Sequence, residues 1–230
     1  MKKIFSMTLA IIVLLMSTTI SSAESIRSLG NTVNENQEEL IKNFTELGID
    51  QETQRKLIRK LENGEMIDSM KPENFENVVN LESMDLDESK IIIYPDGSRS
   101  EIGLETIEEP DQDNEYGILS FKDKNPGTYL VKVYWNTGVI NAVYYTEIVI
   151  RSGSNNDYIK SVTDGSASGF VSVKTEATTI PIQYENSTNY AYSQYRITYE
   201  ALGMSGTLTL HLLVGNNGYE SGTGGASYVK

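Results

Sequence analysis

The chain has 230 residues, with 19 lysines and arginines against 32 aspartates and glutamates, a single histidine and no cysteine. A net charge of −13 argues against the basic patches that nucleic-acid binding requires and against docking on anionic lipid. The lack of cysteine excludes a disulfide framework, zinc–thiolate sites, thiol catalysis and a lipid-modified cysteine.

Lys2 and Lys3 precede an apolar run from Ile4 to Met16, and Ser21, Ser22 and Ala23 place small residues just before Glu24. This pattern predicts a secretory signal peptide over 1–23, cleaved after Ala23, and a secreted, extracellular product. The run is short for a membrane-spanning helix, which needs roughly 20 residues. Cleavage removes two lysines and no acid, taking the charge from −13 to −15. Residues 24–34 are polar and without period, and read as a disordered leader.

Residues 35–75 read as a helical hairpin. Leu40, Ile41, Phe44 and Leu47 fall on one helical face, and Gly48 supplies a left-handed stop. Asp50 is placed to cap a second helix lined by Leu57, Ile58 and Leu61, which Asn63 and Gly64 close. Each helix is near the length of about 12 residues below which an isolated helix is marginal, so both need a partner surface. Met66, Ile67, Met70 and Phe75 are expected to supply part of it.

Residues 76–115 read as an acidic linker carrying a short β-hairpin over 90–105, with Ile91–Tyr94 and Arg99–Leu104 joined at Pro95-Asp96-Gly97-Ser98. From 116 to 217 the period is two. Strands are expected at 117–121, 128–136, 139–150, 158–162, 169–174, 179–184, 190–201 and 207–214. Tyr129, Val131, Val133 and Trp135 share one face, and Ile140, Ala142, Tyr144, Ile148 and Ile150 share another, so each strand has one buried and one wet side. Turn residues at intervals of roughly ten indicate an antiparallel sandwich or barrel. Thirteen of the 14 tyrosines lie at or after Tyr116, which suits a pleated, half-buried surface. Residues 218–230 read as a flexible tail. The expected fold class is α+β and mainly β, a helical hairpin followed by an antiparallel β-sandwich-like domain.

No motif names a chemistry. His211, flanked by alternating leucines, shares a face with Thr207 and Thr209 and reads as a structural strand residue; a lone histidine cannot build a multi-histidine metal site. Asp111, Asp113 and Glu115 are the calcium candidates, but Gly117 comes one place late and Lys122 stands where a bidentate acid belongs. A carboxylate pair for sugar hydrolysis can be chosen at will from 32 acids. Tyr134, Tyr190 and Tyr192 are candidates for a wet aromatic surface that stacks on sugars or peptide.

Two stretches resemble a known family. Residues 46–50, 54–58, 60–65 and 68–72, with the Tyr94–Ser98 turn behind them, resemble the N-terminal helical segment of uncharacterised secreted proteins of low-GC Gram-positive bacteria. Residues 190–198 and 208–217 are similar to the C-terminal β domain of such proteins, the domain of unknown function 5626. The resemblance implies secretion and a β domain, and transfers no catalytic residue. The functional expectation is a non-catalytic, monomeric extracellular binding module, without cofactor, for a cell-wall, protein or glycan partner. The alternatives are a secreted hydrolase using carboxylates and a bacteriocin-like antagonistic effector.

Overall fold

The computed structural model describes residues 35–74, 89–108, 124–153, 156–201, 204–216 and 218–223. The signal peptide expected over 1–23, the leader expected over 24–34, Phe75, the acidic stretch 76–88, the calcium candidates and the strand expected at 117–121 lie outside them.

Helix α1 spans Gln37–Glu46 and α2 spans Gln51–Glu62. Both end in the same hydrogen-bond pattern. The Gly48 amide donates to Thr45 and the Ile49 amide to Phe44, while Gly64 donates to Leu61 and Glu65 to Lys60. Gly48 and Gly64 have φ of 71° and 79°, a left-handed conformation that glycine adopts without the penalty of a β-carbon. Asp50 accepts from the Glu52 and Thr53 amides, both at 3.0 Å, and so starts α2. One-turn 3₁₀ segments follow at Asp68–Met70 and Pro72–Asn74.

Among the described residues ten strands follow: β1 Ser89–Ile93, β2 Arg99–Glu108, β3 Gly127–Asn136, β4 Ile140–Ile150, β5 Tyr158–Val162, β6 Ser166–Gly169, β7 Ser172–Ile182, β8 Ala191–Ala201, β9 Met204–Gly215 and β10 Gly218–Thr223. The first six form an antiparallel sheet in the order β1-β2-β3-β4-β5, with β6 also on β4. The rest form a second sheet in the order β10-β9-β8-β7. The faces predicted for β3 and β4 are the buried ones, and they pack against Leu208, Leu210, Leu212 and Val214 of β9 and Tyr195, Ile197 and Tyr199 of β8. This is the expected mainly β architecture with a helical hairpin ahead of it. Within the core, Tyr144 of β4 and Ser193 of β8 share a hydrogen bond of 3.2 Å between the sheets. Burial therefore leaves these polar groups satisfied.

Several boundaries differ from those read in the sequence. The hairpin assigned to a linker is the first pair of strands in the larger sheet, because β2 pairs with β3 from Glu101↔Asn136 onward. The strands expected at 169–174 and 179–184 are one bulged strand, β7, preceded by the short β6. Pro181 is tolerated because β7 is an edge. The tail expected from 218 begins instead as β10, paired with β9 from Gly218↔Gly215. Ile41 does not join the helical core: it is 40% exposed while Leu40, Phe44 and Leu47 are buried.

The helical hairpin caps one end of the sandwich. Asn43 donates to the Gly138 carbonyl in the β3–β4 turn at 3.1 Å, and Arg99 donates to the Leu47 carbonyl at 3.1 Å. The Tyr199 hydroxyl of β8 donates to the Met70 carbonyl. Asp96, in the β1–β2 turn, accepts from Lys60 Nζ at 3.0 Å and from the Asp68 amide at 2.9 Å, and its own amide returns a bond to Asp68 Oδ2. Helices and sheets thus share one hydrophobic core.

Candidate functional site

The end of the sandwich away from the helices carries the loops β4–β5, β7–β8 and β9–β10. Its backbone is organised by two buried carboxylates. Asp157 Oδ1 accepts from the Arg151 amide at 2.8 Å, and Glu185 accepts from the Asp157 amide at 3.1 Å and the Asn216 amide at 2.8 Å. The Glu185 amide donates back to the Asp157 carbonyl at 2.8 Å. A carboxyl group buried this deeply needs such donors, and each amide gained is a loop pinned in place. Asn216 has a φ of 56°, a left-handed conformation that asparagine tolerates better than most residues.

These bonds bring Tyr158 and Tyr184 into an antiparallel bridge, the hydrogen-bonded seam between β5 of the first sheet and the chain leaving β7 of the second. Their rings stack with centroids 5.3 Å apart. The Arg151 guanidinium lies 4.7 Å from the centre of the Tyr158 ring, a cation–π contact. Tyr184, the outer ring, is 56% exposed. Near the Glu185 carboxylate, at the same end, Asn216 Nδ2 donates to the half-buried Tyr190 hydroxyl at 3.0 Å. Arg151, Tyr158 and Tyr184 together form an aromatic ledge with a guanidinium at its margin.

Of the three tyrosines chosen from the sequence, only Tyr190 lies at this end, by Asn216 and Gly215, and it stands outside the stacked pair. Tyr192 is 6% exposed, bonded to Gln194 at 2.9 Å and beside the His211 ring. It therefore offers no wet face. His211 is buried too, as is Leu213 on the same face, whereas Thr207 stays exposed; half of the face expected to be wet is covered. Tyr134 is half-buried and lies over Gly103 of the neighbouring strand, where any β-carbon would collide with its ring. Lys132 covers it at 5.0 Å and its hydroxyl reaches Glu101 at 3.3 Å. That ring fills a gap in the sheet. Tyr158 and Tyr184 were missed because they are far apart in sequence and only the bridge joins them. Among the described residues no group of three or more histidine, aspartate or glutamate side chains is placed to hold a metal ion, and no helix is long and apolar enough to cross a membrane.

No family model matches the chain and no curated protein matches it. Among solved structures it is similar to hypothetical protein lmo2686 from Listeria monocytogenes EGD-e, at 17% identity and a TM-score of 0.36, covering 60% of this chain and 93% of that one. A likeness this distant bears on neither fold nor function.

Proposed function

We propose that the chain is a secreted, non-catalytic binding module that engages a cell-wall glycan through the ledge of Tyr158 and Tyr184. The signal peptide over 1–23, with cleavage after Ala23, and the kinship with the domain of unknown function 5626 are parts of this proposal. The observation that carries it is Tyr184, a large ring left open to solvent yet held in a fixed orientation by its bridge and by the Tyr158 ring. Such a ring offers flat apolar area at low entropic cost, and the C–H face of a pyranose suits it. The Arg151 guanidinium stands at the edge where sugar hydroxyls would lie. A hydrolase gains no support from Asp157 and Glu185, because Asp157 Oδ1 and both Glu185 oxygens are engaged by backbone amides.

The test is retention of the protein on purified cell-wall polysaccharide, with Tyr184→Ala beside the parent. The expected result is retention of the parent and a loss of about tenfold or more in the variant, the scale of an interface hot spot, with unchanged thermal stability. Equal retention of both, or no retention of the parent, overturns the proposal.

A further inference from the structure

At the opposite end of the molecule, the two helices leave a groove of about 450 Å³ between them. Its apolar floor is Ile41 of α1 and Ile58 of α2, and Gln51 and Gln54 add side-chain amides. Gln54 is fixed by bonds from Nε2 to Thr45 Oγ1 at 3.0 Å and to the Ile49 carbonyl at 2.8 Å. Arg55 and Arg59, one helical turn apart, stand along the same wall.

These two arginines differ from seven other cations among the described residues. Lys42, Lys56, Lys60, Lys71, Lys132, Lys160 and Arg196 all face a carboxylate. Among the described residues Arg55 and Arg59 face none within ion-pair distance, although the chain holds 32 acids. Glu62 closes one end of the groove without pairing with either. Two guanidiniums beside an exposed isoleucine select a ligand that carries carboxylates and apolar groups in alternation. Guanidinium matches carboxylate with two parallel hydrogen bonds, and a groove between helices accepts an extended or helical peptide.

We propose that the α1–α2 groove is a second binding site, one that takes an acidic, apolar peptide segment of a partner protein. Arg55 and Arg59 hold its carboxylates, Ile41 and Ile58 its apolar side chains. The site is independent of the tyrosine ledge.

The probe is a four-residue peptide of alternating glutamate and leucine, blocked at both ends, compared with its glutamine counterpart and with inorganic phosphate. Binding is followed by amide shifts in isotope-labelled protein. The acidic peptide is expected to shift amides of α1 and α2, and the glutamine peptide to bind about tenfold more weakly, the scale of one charge-assisted contact. The exposed pair Arg55→Gln with Arg59→Gln abolishes that difference; Ile41→Ser weakens both peptides; Tyr184→Ala changes neither. Equal binding of the two peptides, shifts elsewhere, or no binding overturns the proposal. Phosphate competing as well as the acidic peptide reduces the site to a general anion contact. A dimer that Arg55→Gln with Arg59→Gln dissociates assigns the groove to a second copy of the chain. Either result also overturns the peptide reading.

Discussion

Asp96 ties the β1–β2 turn to the helical cap through Lys60 and Asp68, and its replacement by asparagine isolates charge from size. The side chain is 9% exposed, and four donors converge on its two oxygens. Oδ1 takes the Ser98 amide at 2.9 Å and the Ser98 hydroxyl at 2.6 Å; Oδ2 takes Lys60 Nζ and the Asp68 amide. Ser98 Oγ passes the arrangement on by accepting from the buried Ser69 amide at 2.9 Å. In Asp96→Asn, whichever way the amide turns, its NH₂ faces two donors. Two charge-assisted bonds are lost at roughly 1.5–3 kcal/mol each, discounted because Lys60 is one-third exposed. The expected loss is about 3 kcal/mol, or roughly 6–12 °C in melting temperature for a chain of this size.

The same prediction has a pH signature. Burial alone would raise the Asp96 pKa, but the bonds from the Ser98 hydroxyl, the Asp68 and Ser98 amides and Lys60 outweigh it and hold the carboxyl below its ordinary 3.8. A depressed folded-state pKa contributes stability that is present above 3.8 and lost as the pH falls through the folded value. The gap between parent and variant therefore closes in acid. Urea unfolding, followed by fluorescence of the single Trp135 and by circular dichroism at neutral pH and in acid, measures both quantities. A loss below about 1 kcal/mol, a neutral bond's worth, or a gap that persists undiminished in acid refutes the reasoning.

Two further perturbations probe the cap and the core. Gly138 has a φ of 78°, and a β-carbon there would come within 2.7 Å of the Phe44 ring. Gly153 has a φ of 100°, and a β-carbon there would make only an ordinary van der Waals contact, with Asn156 Nδ2 at 3.8 Å. Gly153→Ala is expected to cost about 1 kcal/mol, the left-handed penalty alone, and Gly138→Ala about 1–3 kcal/mol more from overpacking; equal denaturation midpoints would contradict the packing of Phe44 on that turn. In alkali, burial pushes Tyr195 up to about 12 and raises Tyr144 and Tyr199 further above the ordinary 10. Stability is thus full below pH 10 and falls as the pH rises, by about 1.4 kcal/mol per unit for each such phenol. Ultraviolet titration is expected to show exposed tyrosines ionising first, then a cooperative step coincident with loss of circular dichroism; one smooth titration with the fold intact would contradict the buried core.

What was legible in the sequence was local. Gly48, Gly64 and the Asp50 cap act within one helical turn, and the alternation from Tyr129 to Trp135 records burial on one side. What was not legible depended on pairing across the chain. The hairpin at 90–105 looked like part of a linker because acidic stretches flank it, yet it needs β3 beside it to be stable. Thr175–Ile182 hid its continuity because register shifts at Thr175/Thr178 and Thr179/Ile182 break the pairing, and Ile180 is the one side chain of this stretch packed on the core. Tyr192 and His211 occupy alternating positions that read as wet, and burial there comes from tertiary contacts that periodicity does not carry. The ledge is the clearest case. Asp157 and Glu185 look like two more acids in an acidic chain until their amide partners are known.

The Tyr158–Tyr184 bridge has a mechanical aspect. It acts as a clasp on the side where β5 meets the chain leaving β7, and one of its two residues carries the outermost ring of the ledge. A ligand seated on that ring fastens the clasp, with a gain of about 2.7 kcal/mol at a hundredfold excess over its Kd. Hydrogen exchange at the Ile159 and Glu185 amides, which donate across this seam, would slow on occupancy, so that cohesion of the two layers reports whether the ledge is filled.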